Sequence, residues 1–136
     1  MHQLTVKTKS RVQFVDITDK VRSVVAQAYV REGVCHVFVP HTTAGITINE
    51  NADPAVVSDI IRELDKIVPL NDNYSHGEGN SAAHIKASMM GFSTIVPIEG
   101  GRIVLGTWQG IYFCEFDGPR TRKVIVTPLS QGSFEV

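Results

Sequence analysis

A chain of 136 residues with 43% apolar and 20% charged side chains has room for one domain with its own core and not for two. Its formal net charge of −1 gives no basic surplus, so bulk attraction to nucleic acid or to an anionic membrane surface is excluded. No apolar run approaches the ~20 residues that span a bilayer, and the first residues lack a signal-peptide core. Both cysteines, Cys35 and Cys114, fall inside apolar strand-like runs and read as buried, reduced thiols. The expectation is a single soluble, cytoplasmic domain over 1–136.

Residues 3 to 17 carry Leu4, Val6, Val12, Phe14, Val15 and Ile17, broken by Lys9-Ser10-Arg11, a pattern that predicts a two-stranded hairpin. Thr18 or Asp19 then caps a helix with Val21, Val24, Val25 and Ala28 at helical spacing, ended by Gly33. Val34 to Val39 reads as a strand in which His36 is a packed structural side chain. Pro40 closes it. His41, at a strand end beside Thr42 and Thr43, is instead placed to line a site. Ala44 to Ile48 reads as a further strand, Ile46 and Ile48 facing one way and Thr47 the other. Asp53 as N-cap and Pro54 at the first helical position open a helix to about Val68. Its stripe of Val56, Val57, Ile60, Ile61, Leu64, Ile67 and Val68 predicts a core-facing surface. Asn49, Glu50 and Asn51, just before it, offer amide and carboxylate ligands as well as turn residues.

The segment Asn71 to Lys86 is the polar centre of the chain. It holds His76 and His84 with Asp72, Glu78 and several amides, and no apolar residue occupies Ser75 to Ser81. A polar loop of this length inside a compact domain points to function. Helical pattern resumes with Ser81 as N-cap and Ile85, Met89 and Met90 as a short apolar stripe ended by Gly91. His84 then lies in the first turn, where the helix dipole favours neutral imidazole, the form that binds a metal or accepts a proton.

Ser93 to Ile98, Arg102 to Leu105, Ile111 to Phe116 and Val124 to Val126 read as strands. Gly106-Thr107-Trp108-Gln109-Gly110 places the only tryptophan between two glycines, which predicts close backbone approach or a bulge lining a pocket. After the turn Asp117-Gly118-Pro119 comes Arg120-Thr121-Arg122-Lys123. These cations suit either a charged sheet edge or a phosphate-bearing ligand. Eight or so strands against two main helices and one short helix give an α+β domain dominated by a mostly antiparallel sheet or sandwich.

Three ordered motifs, His41 to Pro54, His76 to Ser88 and Gly106 to Arg120, closely resemble the YjbQ family over essentially the whole chain. The resemblance implies a β-rich α+β fold that assembles as a homotrimer, and a weak thiamine-phosphate synthase activity. It also implies an acidic residue just before the second histidine, where this chain has Ser81-Ala82-Ala83, so that Glu78 or Glu50 would supply the carboxylate. Three histidines, His41, His76 and His84, with such a carboxylate would suit zinc or a neighbouring first-row metal with an open position. Thiamine-phosphate synthesis makes a further demand, because pyrophosphate must leave from a pyrimidine methylene. A divalent cation such as magnesium, with Lys86, Arg120 and Arg122, would stabilise the charge on it. The expected site is therefore His41, Glu50 and Glu78 as catalytic groups, with Asn49, Lys86, Trp108, Gln109, Arg120 and Arg122 contacting a small-molecule substrate. Two alternatives use the same residues: a metal- or ligand-binding homotrimer without turnover, and a hydrolase activating a metal-bound water. Phe92, Phe116 and Phe134, apolar beyond the helix stripes, are candidates for the trimer interface.

Overall fold

The computed structural model describes residues 1–132, and Phe134 lies outside them. The fold is β-rich α+β, as the pattern of short strands predicts: the described residues form eight strands in two antiparallel sheets, with three helices. The larger sheet is formed by β1 (His2–Lys7), β3 (Gly33–Phe38), β5 (Ser93–Glu99), β6 (Arg102–Ile103) and β8 (Thr121–Ser130), in the order β1-β8-β3-β5-β6. The smaller is formed by β2 (Gln13–Asp16), β4 (Ala44–Glu50) and β7 (Gln109–Glu115), in the order β2-β7-β4. Period-two alternation turns every second side chain of a strand inward. Cys35, Val37, Val96, Ile98, Val124 and Val126 from one sheet thus meet Ile46, Ile111 and Phe113 from the other in a shared core.

The predicted hairpin of residues 3 to 17 does not form. β1 pairs with β8 and β2 pairs with β7, because Lys9-Ser10-Arg11 carries the chain from one sheet to the other. The helix after it, α1 (Thr18–Ala28), packs Val21, Val24 and Val25 into the inter-sheet core. Its start is fixed by Asp16, whose Oδ1 accepts from the Thr18 amide at 2.9 Å and from the Thr18 hydroxyl at 2.5 Å. Gly33 does not end α1, which closes at Tyr29 in the left-handed region (φ 57°). Gly33 opens β3 instead, and a Cβ there would sit 1.9 Å from the Leu129 carbonyl oxygen.

α2 (Pro54–Ile67) begins as predicted, with the Asp53 carboxylate accepting from the Ala55 amide at 2.9 Å. Its wide stripe is only partly core. Leu64 is buried and Val57 and Ile60 pack beside it, while Ile67 is 65% exposed. α3 (Ser81–Met90) reverses the prediction more sharply, since Ile85 and Met89 face solvent and the buried face is Ala82, Ala83, Lys86 and Ala87. The reason is close packing on β4. A Cβ at Gly45 would lie 2.8 Å from the Gly91 oxygen and 2.9 Å from the Met90 Cβ, so α3 meets the strand through small residues. Its N-cap is Asn80, one residue before the predicted Ser81. α2 and α3 together cover the outer face of the small sheet, where Tyr112, Cys114 and Phe116 form a second cluster. Phe116 is thus a core residue, not a surface one. Both cysteines are free and buried. Among the described residues no helix is long and apolar enough to cross a membrane.

Candidate functional site

A groove of about 730 Å³ opens where three distant segments meet. The first is the turn from β3 to β4, which contributes His41, Thr42 and Thr43. The second is the end of the polar loop and the first turn of α3, which contribute Glu78, Asn80 and His84. The third is the β7–β8 loop, with Asp117 and Arg120. Phe38 and Phe92, edge to face at 6.1 Å between ring centres, wall the remaining side. Main-chain bonds hold the segments together: Val39 donates to the Phe92 carbonyl at 2.7 Å, Ile46 to Gly91 at 3.1 Å and Phe116 to Thr43 at 3.2 Å.

Beneath the groove lies a buried ion pair that the sequence did not reveal. Glu115 has the same strand parity as Ile111 and Phe113 and is fully buried; Arg122 has that of Val124 and Val126 and is 2% exposed. The Arg122 Nε donates to both Glu115 oxygens, at 2.9 and 3.1 Å, and Nη2 donates to Glu115 and to the Thr43 hydroxyl at 2.8 Å. Thr8 and the Asp117 amide complete the carboxylate's partners at 2.8 and 3.1 Å. Burial pushes the Glu115 carboxyl up, but the bonds from Arg122, Thr8 and Asp117 outweigh it and leave it below its ordinary value. The pair ties the two sheets together and fixes both Thr43 and the Asp117 loop. The same register removes one reading of the basic tetrad, because β8 lies between β1 and β3 and guards no edge.

His41 is half-buried and its Nε2 accepts from the Lys123 amide at 3.0 Å. That bond needs an unprotonated Nε2, so neutral His41 carries its proton on Nδ1. Burial and the nearby Arg122 hold its pKa below the ordinary imidazole value. Across the groove, Asn80 Nδ2 donates to Asp117 Oδ2 at 3.0 Å, and Arg120 donates to the same oxygen at 3.2 Å and to the Asp117 carbonyl at 3.0 Å. Asn80 Oδ1 is buried without a partner among the described residues, an acceptor in the wall for which this chain supplies no donor there. His84 stands half-buried between this groove and a smaller one lined by His76, whose ring centre is 5.5 Å away. His76 Nε2 lies 3.8 Å from Glu78 Oε2.

The structure thus gathers His41, Glu78, His84 and Arg120 on one groove, with His76 adjacent and Arg122 beneath. It does not bring all the expected residues there. Asn49 and Glu50 end β4, paired with Gly110 and Gln109, and lie about 20 Å along the strand from its groove end at Ala44, at ~3.3 Å per residue. Trp108 is 62% exposed beside them, and its neighbour Gly110 has no room for a Cβ because the Asn51 side chain would stand 2.5 Å away. The glycine at 110 therefore serves close approach, as its spacing predicts. Lys86 lies behind α3, buried and paired with Asp65. His36 is on the outer face of the large sheet, stacked 6.4 Å from Phe38. Thr43, Asn80, Asp117 and Glu115 were missed as site-forming residues. The only sequence signal for them is a charged residue, Glu115, in an otherwise apolar strand. Among the described residues no three His, Cys, Asp or Glu side chains are placed to share one metal ion. His76 is the one histidine near both other candidates, 3.8 Å from Glu78 and 5.5 Å between ring centres from His84, while the His41 Nε2 is engaged by the main chain.

Two facing antiparallel sheets, a helix pair over the smaller one and a polar groove built by loops define a small β-rich α+β protein. The family model described as UPF0047 protein YjbQ-like matches residues 2–131, and the chain belongs to that family. The UPF0047 protein of Methanocaldococcus jannaschii is 53% identical over 121 residues, 89% of this chain and 88% of its own length. The UPF0047 protein YugU of Bacillus subtilis is 52% identical over 124 residues, 90% of this chain and 94% of its own. A crystal structure of a YjbQ/UPF0047 family protein from Clostridium acetobutylicum superposes with a TM-score of 0.94 at 56% identity, covering 95% of this chain and 100% of that one.

Proposed function

We propose that the groove is the active site of an enzyme acting on a small phosphorylated metabolite. The observation that carries this reading is the convergence of His41, Glu78, His84 and Arg120 from three segments onto one concave surface. Each has a distinct task there. Arg120, oriented by Asp117, offers guanidinium donors to phosphate oxygens. His41 presents a neutral Nδ1–H as a hydrogen-bond donor, its orientation fixed by the Lys123 amide. His84 and Glu78 are the groups free to accept or return a proton. A divalent ion, zinc or another first-row metal, would need His76, His84 and Glu78 to draw together to hold it; it would then occupy the two groups named for proton transfer and supply Lewis acidity toward phosphate oxygens in their place. With a pyrophosphate substrate, magnesium would serve the same end.

Thiamine-phosphate synthesis is the named candidate reaction. The bond from the pyrimidine methylene to pyrophosphate breaks as the thiazole nitrogen bonds to that carbon, and Arg120 stabilises the departing oxygens. Release of pyrophosphate from the two substrates, measured for the wild type and for Arg120→Ala and His84→Ala, tests it. Losses of roughly 10²-fold or more in both variants are expected; unchanged turnover in both rejects the site. Elemental analysis of protein purified without chelator tests the ion, and His76→Ala and His84→Ala should each abolish loading.

The protein works in this reading as a cytoplasmic homotrimer. Support comes from the outer face of the large sheet, which no helix among the described residues covers. Ile95 (60% exposed) pairs across from His36, and Leu129 (50%) from Val34, while Phe92 (64%) stands at the groove's rim. Covering that face would place an interface beside the groove. Light scattering at micromolar concentration should give three times the chain mass. Mixed trimers of His84→Ala and Arg120→Ala chains should recover activity if sites are shared.

A further inference from the structure

Behind α3, away from the groove, Lys86 is 4% exposed, and among the described residues Asp65 is the one partner of its Nζ. An ammonium has three N–H donors, so two are left to point elsewhere. Beside it lies a cavity of about 270 Å³ whose wall also includes Arg11. The Arg11 guanidinium makes no hydrogen bond or ion pair among the described residues, and its main-chain carbonyl accepts from Gly118 at 3.0 Å, which anchors the backbone from which the side chain reaches the cavity. The third charged group is Asp65, whose side chain is 54% exposed and stands at the rim. Two cations against one carboxylate leave a single positive charge. The rest of the wall is apolar, notably Val12, Ala82 and Phe116.

We propose that this cavity binds a small organic carboxylate: the carboxylate bridges Lys86 Nζ and Arg11, and an apolar ring or short chain lies against Val12 and Phe116. Charge decides the class. A monoanion balances the surplus, whereas a dianionic phosphate would place a second charge against Asp65. Size agrees, for the volume falls just below the ~300 Å³ at which drug-sized sites begin. Desolvation also favours an occupant, because a buried ammonium with unused donors gains more from a charged acceptor than one in water. The site is separate from the groove, since Ala82, Ala83 and Lys86 face this cavity while His84 faces the other.

Titration of isotopically labelled protein with benzoate, acetate and inorganic phosphate, followed by amide chemical shifts, tests the assignment. Benzoate should move Val12, Ala82, Ala83, Lys86 and Phe116, and acetate should do so more weakly. Binding should weaken by about tenfold or more in Arg11→Ala, an exposed position whose loss spares the fold, and should be unchanged in Arg120→Ala, which alters only the groove. Absence of carboxylate-dependent shifts at these amides, or equal affinity in Arg11→Ala, overturns the site. Phosphate moving the same amides as strongly as benzoate overturns the ligand class.

Discussion

Replacing Glu115 by alanine leaves the Arg122 guanidinium, only 2% exposed at the floor of the groove, without its carboxylate. Breaking a buried pair on one side costs about 3–5 kcal/mol, against a total of about 5–15 for a domain of ordinary stability. At roughly 3–5 °C per kcal/mol for this chain length, the melting point should fall by ~10–20 °C. The double variant Glu115→Leu/Arg122→Met should recover most of that loss, because no charge is then stranded. pH supplies a second reading. The folded Glu115 carboxyl lies below its ordinary value, so the unfolded chain takes up the proton first. Its contribution is complete above the ordinary glutamate value of ~4.3 and is lost as pH falls through the lower folded value. Urea unfolding between neutral pH and pH ~3 measures both, and the acid limb should be shallower in Glu115→Gln. A loss below about 1 kcal/mol in Glu115→Ala, or a double variant that merely adds two penalties, would refute the argument.

His41 should titrate in the folded protein below the ordinary imidazole value, because burial and Arg122 oppose its charge; a midpoint at or above that value by proton NMR contradicts the neutral assignment. Since the unfolded chain then protonates first, any His41 contribution to stability is present above ~6.5 and fades as pH falls through the folded value. Gly45→Ala should cost about 1–3 kcal/mol and shift α3, seen as lost denaturant stability with altered His84 ring shifts, because its Cβ has 2.8 Å to the Gly91 oxygen. Both thiols should resist a colorimetric thiol reagent until the protein unfolds: burial raises the Cys35 thiol to about 11 and Cys114 further still, and rapid labelling of either native thiol would contradict this.

The fold class was readable because short apolar runs with turn residues between them have few other solutions. Asp53-Pro54 specified a helix start locally, and the structure agrees there to the residue. Strand partnership was not readable. Residues 3 to 17 look like a hairpin, yet β1 and β2 find partners more than a hundred residues away for β1 and about a hundred for β2. α3 misled for a related reason. Ile85 and Met89 make the obvious apolar stripe, but the distance of closest approach to β4 at Gly45 selects the alanine face. At the site, the histidines were visible as types and the polar loop as a place. Which of them meet depended on loops that join only in three dimensions, and Glu50 and His41, nine residues apart in sequence, stand at opposite ends of one strand.

The three cations expected to receive phosphate show why residue type alone does not assign a role. What an arginine or lysine can do is decided by the anion that reaches it first, and that anion is often remote in sequence. Arg122 is met by Glu115 inside the core, so its charge is already satisfied and its work is to hold Thr43 in place. Lys86 is met by Asp65, on another helix, and is drawn behind α3 where the groove cannot use it. Arg120 is met by Asp117 only three residues before it, and although that carboxylate is itself only 17% exposed, the pairing leaves the Arg120 side chain 49% exposed. Of the three, Arg120 alone therefore keeps donors in front of the groove. An incoming phosphate competes there with one carboxylate, and this is why the substitution that tests the groove is made at Arg120.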